Sequence, residues 1–261
     1  MFLYRRSDLK TIPIIGLPVA ATTYREAVEW VLEHAARQDC AYAVEAANTH
    51  VAALARVDLE FGEAMNSFDL ICPDGMPLVW VLNSKLADGS KLKERVYGPT
   101  LMLETLKATA GKAGMYKHFL LGGKQETLDK LSQTFNEKFS DVCISGSYSP
   151  PFGKWPVDEV HRIGEAIRSS GANLIWVGLG CPKQEVFISK HKHLLPPGVY
   201  FGIGAAFAFH AGEVSQAPTL IQRYGLEWAY RLIMEPRRLF KRYFIYNSLF
   251  FFYLLRDQMK D

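Results

Sequence analysis

Apolar residues fall along this chain in two alternating patterns. Short continuous apolar runs recur between longer stretches in which apolar residues return every three to four positions. The first pattern suits buried strands and the second amphipathic helices. From Val19 to about Gly204 the two alternate. Thr23 followed by Glu26 predicts a capping box that opens a helix through about Arg37, with Ala27, Val28, Val31, Leu32 and Ala35 on one face. Strands are expected at 42–46, 68–72, 118–121, 142–145, 173–177 and 199–203. A helical stretch follows the first strand to about Ser67, and a clearly amphipathic helix runs from Gln125 to about Phe139. A Pro/Gly loop, Ser149 to Gly153, follows the fourth strand, and no internal repeat interrupts the order.

Strands separated by helical patterns imply βαβ units and a mostly parallel sheet, an α/β fold. The unusual residues then fall in one place. Asn48, Asp74, Gly122, Gly123, Gly178, Gly180 and Gly204 all lie just past the carboxyl end of a predicted strand. In open α/β sheets ligands bind at that edge. Glycine there lets backbone N–H groups approach a phosphate, and helix N-termini favour anions. Any one of these glycines is equally a tight βα turn. The set, with two polar strand ends, shifts the balance toward a nucleotide or phosphate site.

The last segment has another character. Between Tyr224 and Tyr253 lie 11 aromatic residues, about a third of the chain's total, interleaved with Arg223, Arg231, Arg237, Arg238, Lys241 and Arg242. The apolar stretch 244–255 is broken by Asn247 and Ser248 and is too short to span a bilayer. Two readings stay open: an interfacial element facing an anionic membrane, or a helix packed on the core with its arginines at the solvent edge. Composition adds little. The chain of 261 residues is 49% hydrophobic and 22% charged, an ordinary globular balance, and its net charge of +3 is too weak to argue for nucleic acid. Four scattered cysteines without a CxxC pair fit a reducing cytoplasm better than a zinc site or disulfide framework. The start carries no apolar core followed by a cleavage site, so a secretory signal is not expected.

Asp74 is the sharpest chemical candidate. It stands between an apolar strand and Gly75, where a carboxylate can act as a general base; a structural Asp-Gly turn is the plainer reading. Arg95 offers a bidentate contact to a diphosphate, or is a surface arginine. Gln184 follows Cys181-Pro182-Lys183 at a predicted helix start with Pro182 near the first helical position; Gln184 suits a base or sugar and Lys183 a phosphate. Glu185 reads as a charge placed favourably on the helix dipole. No DxD triplet, GxxxxGK[ST] loop or GxSxG elbow occurs. His191 and His193 lack a third ligand nearby, and residues 202–207 match GxGxxG only in part. An NAD-dependent oxidoreductase is therefore weakly supported, Asp141 being the nominal ribose partner.

Ordered along the chain, 48–50, 72–75, 94–98, 119–123, 177–185, 202–212 and 225–239 resemble the WecG/TagA/CpsF family of bacterial glycosyltransferases, glycosyltransferase family 26. The resemblance covers about residues 12 to 245. It implies a Rossmann-like transferase that moves a sugar from a UDP-sugar to a sugar on a polyprenyl diphosphate. It further implies inversion, no metal or other cofactor, no nucleic acid, and work on the cytoplasmic face of the membrane. Asp74 falls on the family's proposed base and Arg95 on its E-R-V arginine. Substrate-binding positions are then Asn48, Thr49, Gly122, Gly123, Gly178, Gly180, Lys183, Gln184, Gly204, Arg231 and Arg238, with Arg237 and Arg242 as further carriers. Residues 1–215 would form the transferase domain and 216–261 a membrane-associating appendage, whose removal after about 220 should leave the core folded. Two positions depart from the pattern: Ala46 stands where members often carry Thr, and Ala208 where many carry Asp, with His210 a nearby polar replacement. A non-catalytic, membrane-docked assembly subunit is the alternative these departures suggest.

Overall fold

The pattern above misses the first element of the structure, a hairpin of β1 (Thr11–Ile14) and β2 (Leu17–Ala20) joined through Ile15 and Gly16, both at positive φ. Pro13 and Pro18 face each other across it. Prolines argue against a central strand, but a two-stranded ribbon has only edges and tolerates them. The computed structural model describes residues 9–139, 141–153, 155–215, 217–218, 221 and 227–259, the side chains of Ala205, Glu227 and Arg238 excepted.

The six predicted strands are all present: β3 (Ala41–Ala47), β4 (Leu70–Pro73), β5 (His118–Leu121), β6 (Ile144–Tyr148), β7 (Leu174–Val177) and β8 (Gly198–Gly202). They form one sheet in the order β4-β3-β8-β7-β5-β6, each neighbouring pair parallel. β6 starts two residues later than expected, because the Val142 N–H closes a turn onto Phe139 O instead.

Helices cover both faces. α1 (Tyr24–Arg37) opens on the expected box: the Glu26 N–H donates to Thr23 Oγ1 at 3.3 Å and the Thr23 N–H to Glu26 Oε2 at 3.0 Å. The expected helix to Ser67 is two, α2 (Thr49–Val57) and α3 (Leu59–Asn66). Asp58 ends one and caps the other by accepting the Phe61 N–H at 3.0 Å. The chain continues with α4 (Met76–Ser84), α5 (Gly98–Thr109), α6 (Gln125–Lys138), α7 (Glu159–Ser170), α8 (Lys183–His191) and α9 (Ala205–His210). Pro182 is the cap of α8, one place earlier than expected. Strand residues alternate between two cores. Val44, Leu120, Trp176 and Phe201 meet α1, α5, α6 and α9. Ala43, Phe119, Ile175 and Tyr200 meet the hairpin, α2, α3, α7 and α8. β3 therefore leads to a helix on one face while its neighbour β8 leads to a helix on the other. That divergence opens the crevice in which α/β sheets bind ligands.

α10 (Glu227–Met234) and α11 (Pro236–Gln258) follow. The short apolar helix expected at 244–255 is the middle of a 23-residue helix. One side of α11 lies on α2. The Thr49 hydroxyl donates to Asn247 Oδ1 at 2.7 Å, His50 meets the Tyr246 ring edge-on at 4.5 Å, and Arg56 pairs with Asp257 at 3.5 Å. Phe250 is fully buried and belongs to the same core as Ala43 and Tyr200. The other side exposes Phe240, Phe244, Ile245, Phe251, Phe252 and Leu255. The packed-helix reading therefore holds for one face of α11, and the other face is exposed. No helix among the described residues is long and apolar enough to cross a membrane.

Candidate active site

Asp74 is fixed at the carboxyl edge by the ladder that precedes it. Its N–H donates to Ala47 O at 2.8 Å, continuing the β3–β4 pairing one step past the strand. The side chain, 12% exposed, lies 3.7 Å from Arg95 Nη1 through Oδ1. Oδ2 accepts the Gly98 N–H, at 3.4 Å, from the first turn of α5, where the helix dipole favours an anion. The Arg95 guanidinium in turn lies 4.2 Å from the Tyr97 ring centre. Two backbone bonds hold this loop: the Val96 N–H donates to Pro73 O at 2.9 Å, and the Tyr97 N–H to the Tyr24 hydroxyl at 2.9 Å. Burial pushes Tyr24 up to about 12, so it stays a neutral phenol. Tyr24 and Tyr97 support the pair, and no spacing in the sequence links them, since they lie far apart along the chain.

Asn48 stands beside this corner, just past the end of β3. Its Oδ1 accepts the N–H groups of His50 and Val51 and so caps α2. Thr49 is not with it: the helix has already begun, and its hydroxyl turns to Asn247 on α11. Ala46 packs near Gly98, where a Cβ on Gly98 would approach its methyl to 3.3 Å. The second departure gains no replacement from His210. That ring is buried, with Nε2 3.0 Å from Pro99 O, and packs on Phe135.

The other half of the edge is built from backbone. Gln184 is buried, and its Oε1 accepts from both the Gly180 and the Gly204 N–H, each at 3.1 Å. Its Nε2 donates to Glu185 Oε1 at 3.0 Å. Gln184 therefore staples the β7–α8 turn to the β8–α9 turn, and one of its two Nε2 hydrogens is used in the bond to Glu185. A Cβ on Gly122 would stand 2.8 Å from the Gly178 carbonyl carbon, so these neighbouring turns approach as closely as they do only without side chains. Gly180, at φ +81°, is the position that both requires glycine and opens onto free space. Gly123 lies beside the Phe207 ring. Lys183 is exposed, its Nζ 5.9 Å from the Phe152 ring centre.

Arginines of the tail reach back to this body. Arg231 lies 5.3 Å from the Phe209 ring centre on α9, and its Nε is buried with no hydrogen-bond partner among the described residues. Arg242 Nε is likewise unpartnered, and its charge acts on His50 and Cys181, next to the α2 and α8 N-termini. Arg237 is exposed, and the side chain of Arg238 lies outside the described residues. The structure thus brings together Asp74 with Arg95, and Gly180 with Gln184 and Gly204. It sends Thr49 to the tail. Among the described residues no group of three His, Cys, Asp or Glu side chains could hold a metal ion.

A doubly wound parallel sheet carrying a carboxylate–guanidinium pair and a row of glycine turns along one edge belongs to the α/β class whose ligands bind at the switch point. The chain belongs to the glycosyl transferase WecG/TagA/CpsF family, which it matches over residues 12–261, and it is a glycosyltransferase. It is 27% identical over 230 residues to an N-acetylglucosaminyldiphosphoundecaprenol N-acetyl-beta-D-mannosaminyltransferase of Bacillus subtilis (strain 168), covering 88% of this chain and 86% of that protein. It is 32% identical over 193 residues to a protein of the same name from Bacillus spizizenii, covering 74% of this chain and 71% of the relative.

Proposed function

We propose that this protein is an inverting transferase that moves N-acetylmannosamine, or a sugar of that class, from UDP to an acetamido sugar on a polyprenyl diphosphate. The observation that carries the reading is Asp74: a carboxylate at a strand end, held by Arg95 and the Gly98 N–H yet still reachable. The names of the two relatives support the acceptor, and their β configuration fits inversion of an α-linked nucleotide sugar. Asp74 accepts the proton as the acceptor hydroxyl attacks the anomeric carbon from the face opposite UDP. Cationic groups meet the charge that develops on the leaving diphosphate; Arg95 is placed for this, with the Gly180 turn offering backbone. Arg231 and Arg242 serve the acceptor diphosphate at the tail side. The exposed aromatic face of α11 rests on the inner surface of the cytoplasmic membrane, where a polyprenyl substrate resides. The test is Asp74→Asn. Transfer from UDP-N-acetylmannosamine to a short-chain prenyl-diphosphate-N-acetylglucosamine is expected to fall about 10²–10⁴-fold, with UDP binding by calorimetry retained. Full activity removes Asp74 as the base.

A further inference from the structure

Beneath the glycine turns lie two carboxyl groups that the chemistry above does not use. Glu45 and Glu185 are 2% and 0% exposed, and among the described residues neither is ion-paired and on each the Oε2 atom has no hydrogen-bond partner. Glu45 sits in β3 opposite Gly202 of β8. A Cβ on Gly202 would collide with Glu45 Oε2 and stand 3.6 Å from Gln184 Nε2, so Gly202 is the gap through which Glu45 reaches the Gln184–Glu185 step. Glu185 accepts from Gln184 Nε2 and from the Cys181 thiol. Two carboxylates cannot both stay charged in so little water. Burial pushes Glu185 up to about 7. Burial first, then the charges of Glu185 and Asp74, holds Glu45 well above the ordinary carboxylate range. The remaining titratable or charged neighbours are Cys72 on β4, Cys181 before α8, and Arg242 of α11, which acts on Cys181.

We infer that Glu45 and Glu185 are positioning residues: a proton held on this carboxyl pair keeps Gln184 in its staple, and so sets the Gly180 turn, proposed above to meet the donor diphosphate, against the Gly204 turn. Loss of that proton at higher pH puts two like charges against the staple and spoils the edge. The inference rests on the transferase reading for its activity readout but not for its stability readout.

The experiment compares the full chain with Glu45→Gln and Glu185→Gln, neutral isosteres of the protonated group. Transfer from UDP-N-acetylmannosamine is followed from pH 6 to 9, and thermal melting from pH 5 to 8. Each variant is expected to keep transfer within about threefold of the parent at pH 6.5 and to move the alkaline limb up by at least about half a pH unit. A carboxyl whose folded pKa is raised contributes stability below its unfolded value, near 4.5, and loses it as pH rises toward the folded value. The melting advantage of Glu45→Gln over the parent should therefore grow from pH 5 to pH 8. His50 and His118, both lowered to about 3 by burial, act oppositely but equally in both proteins and cancel in the difference. An unmoved alkaline limb with an unchanged melting difference overturns the pair. So does failure of both isosteres to fold, since a site that holds a proton accepts an amide. A parent chain that transfers no sugar, yet shows the melting difference, sinks the transferase reading and upholds the pair.

Discussion

The α/β body and the C-terminal helices use the same kinds of residue in opposite ways. In the body the large side chains are inside: Trp176, Tyr200, Phe61, Phe119, Phe135 and Phe201 are all essentially inaccessible. Among the described side chains of α11 only Leu239 and Phe250 are fully buried, while Phe240, Phe244, Phe251, Phe252 and Leu255 face outward. Isolated exposed apolar residues are ordinary, but a contiguous aromatic face on one helix marks a surface that meets something apolar. The polar groups differ as well. The Asp74 corner is tied by named bonds, whereas Arg231 and Arg242 of the tail keep a buried Nε without a partner. The contrast separates a body whose large side chains close on a core from a tail helix that leaves an aromatic face exposed.

Substitutions on either side of this division test it. The largest effect is expected from Asp74→Asn, which should abolish most transfer while leaving binding to anionic vesicles unchanged in a sedimentation assay. Parallel loss of both would erase the division. Next, Phe250→Ala opens a cavity in the core shared by α11 and the sheet and should cost about 3–5 kcal/mol by denaturant unfolding. A loss below about 1 kcal/mol would make α11 the separable appendage that composition alone suggests. Replacing Phe244, Phe251 and Phe252 together with Ser should weaken vesicle partitioning about tenfold or more with little change in melting temperature, because these rings contact water. A large drop in melting would show them packed instead. The smallest effect is Thr49→Val, which removes the 2.7 Å bond to Asn247 and should cost about 1 kcal/mol of stability. A specific rise in the donor KM would return Thr49 to the substrate site.

Much of the body was legible because its signals are local. The Thr23–Glu26 box needs only its own turn, and buried parallel strands read as apolar runs wherever they lie. The hairpin was not legible, since Pro13 and Pro18 disguise strands that only an edge permits, and Asp58 divides a helix whose apolar pattern runs on. In the site, Asp74 and Arg95 stood out through their placement beside a strand end and within a motif. Tyr24 and Tyr97 did not, because a backbone donor meeting a phenol across 73 residues leaves no periodic trace. Gln184 was legible as important but not as a staple, for its partners are N–H groups of two separate turns.

By itself the sequence determined the alternation of strand and helix and the edge on which the polar and glycine residues gather, because both follow from short-range periodicity and chain direction. Packing between distant segments sets which strand ends become neighbours, which face of α11 is covered by α2, and that Glu45 and Glu185 lie buried together beneath the glycine turns. Those outcomes depend on strand order and packing between distant segments, and no local pattern of residues encodes them.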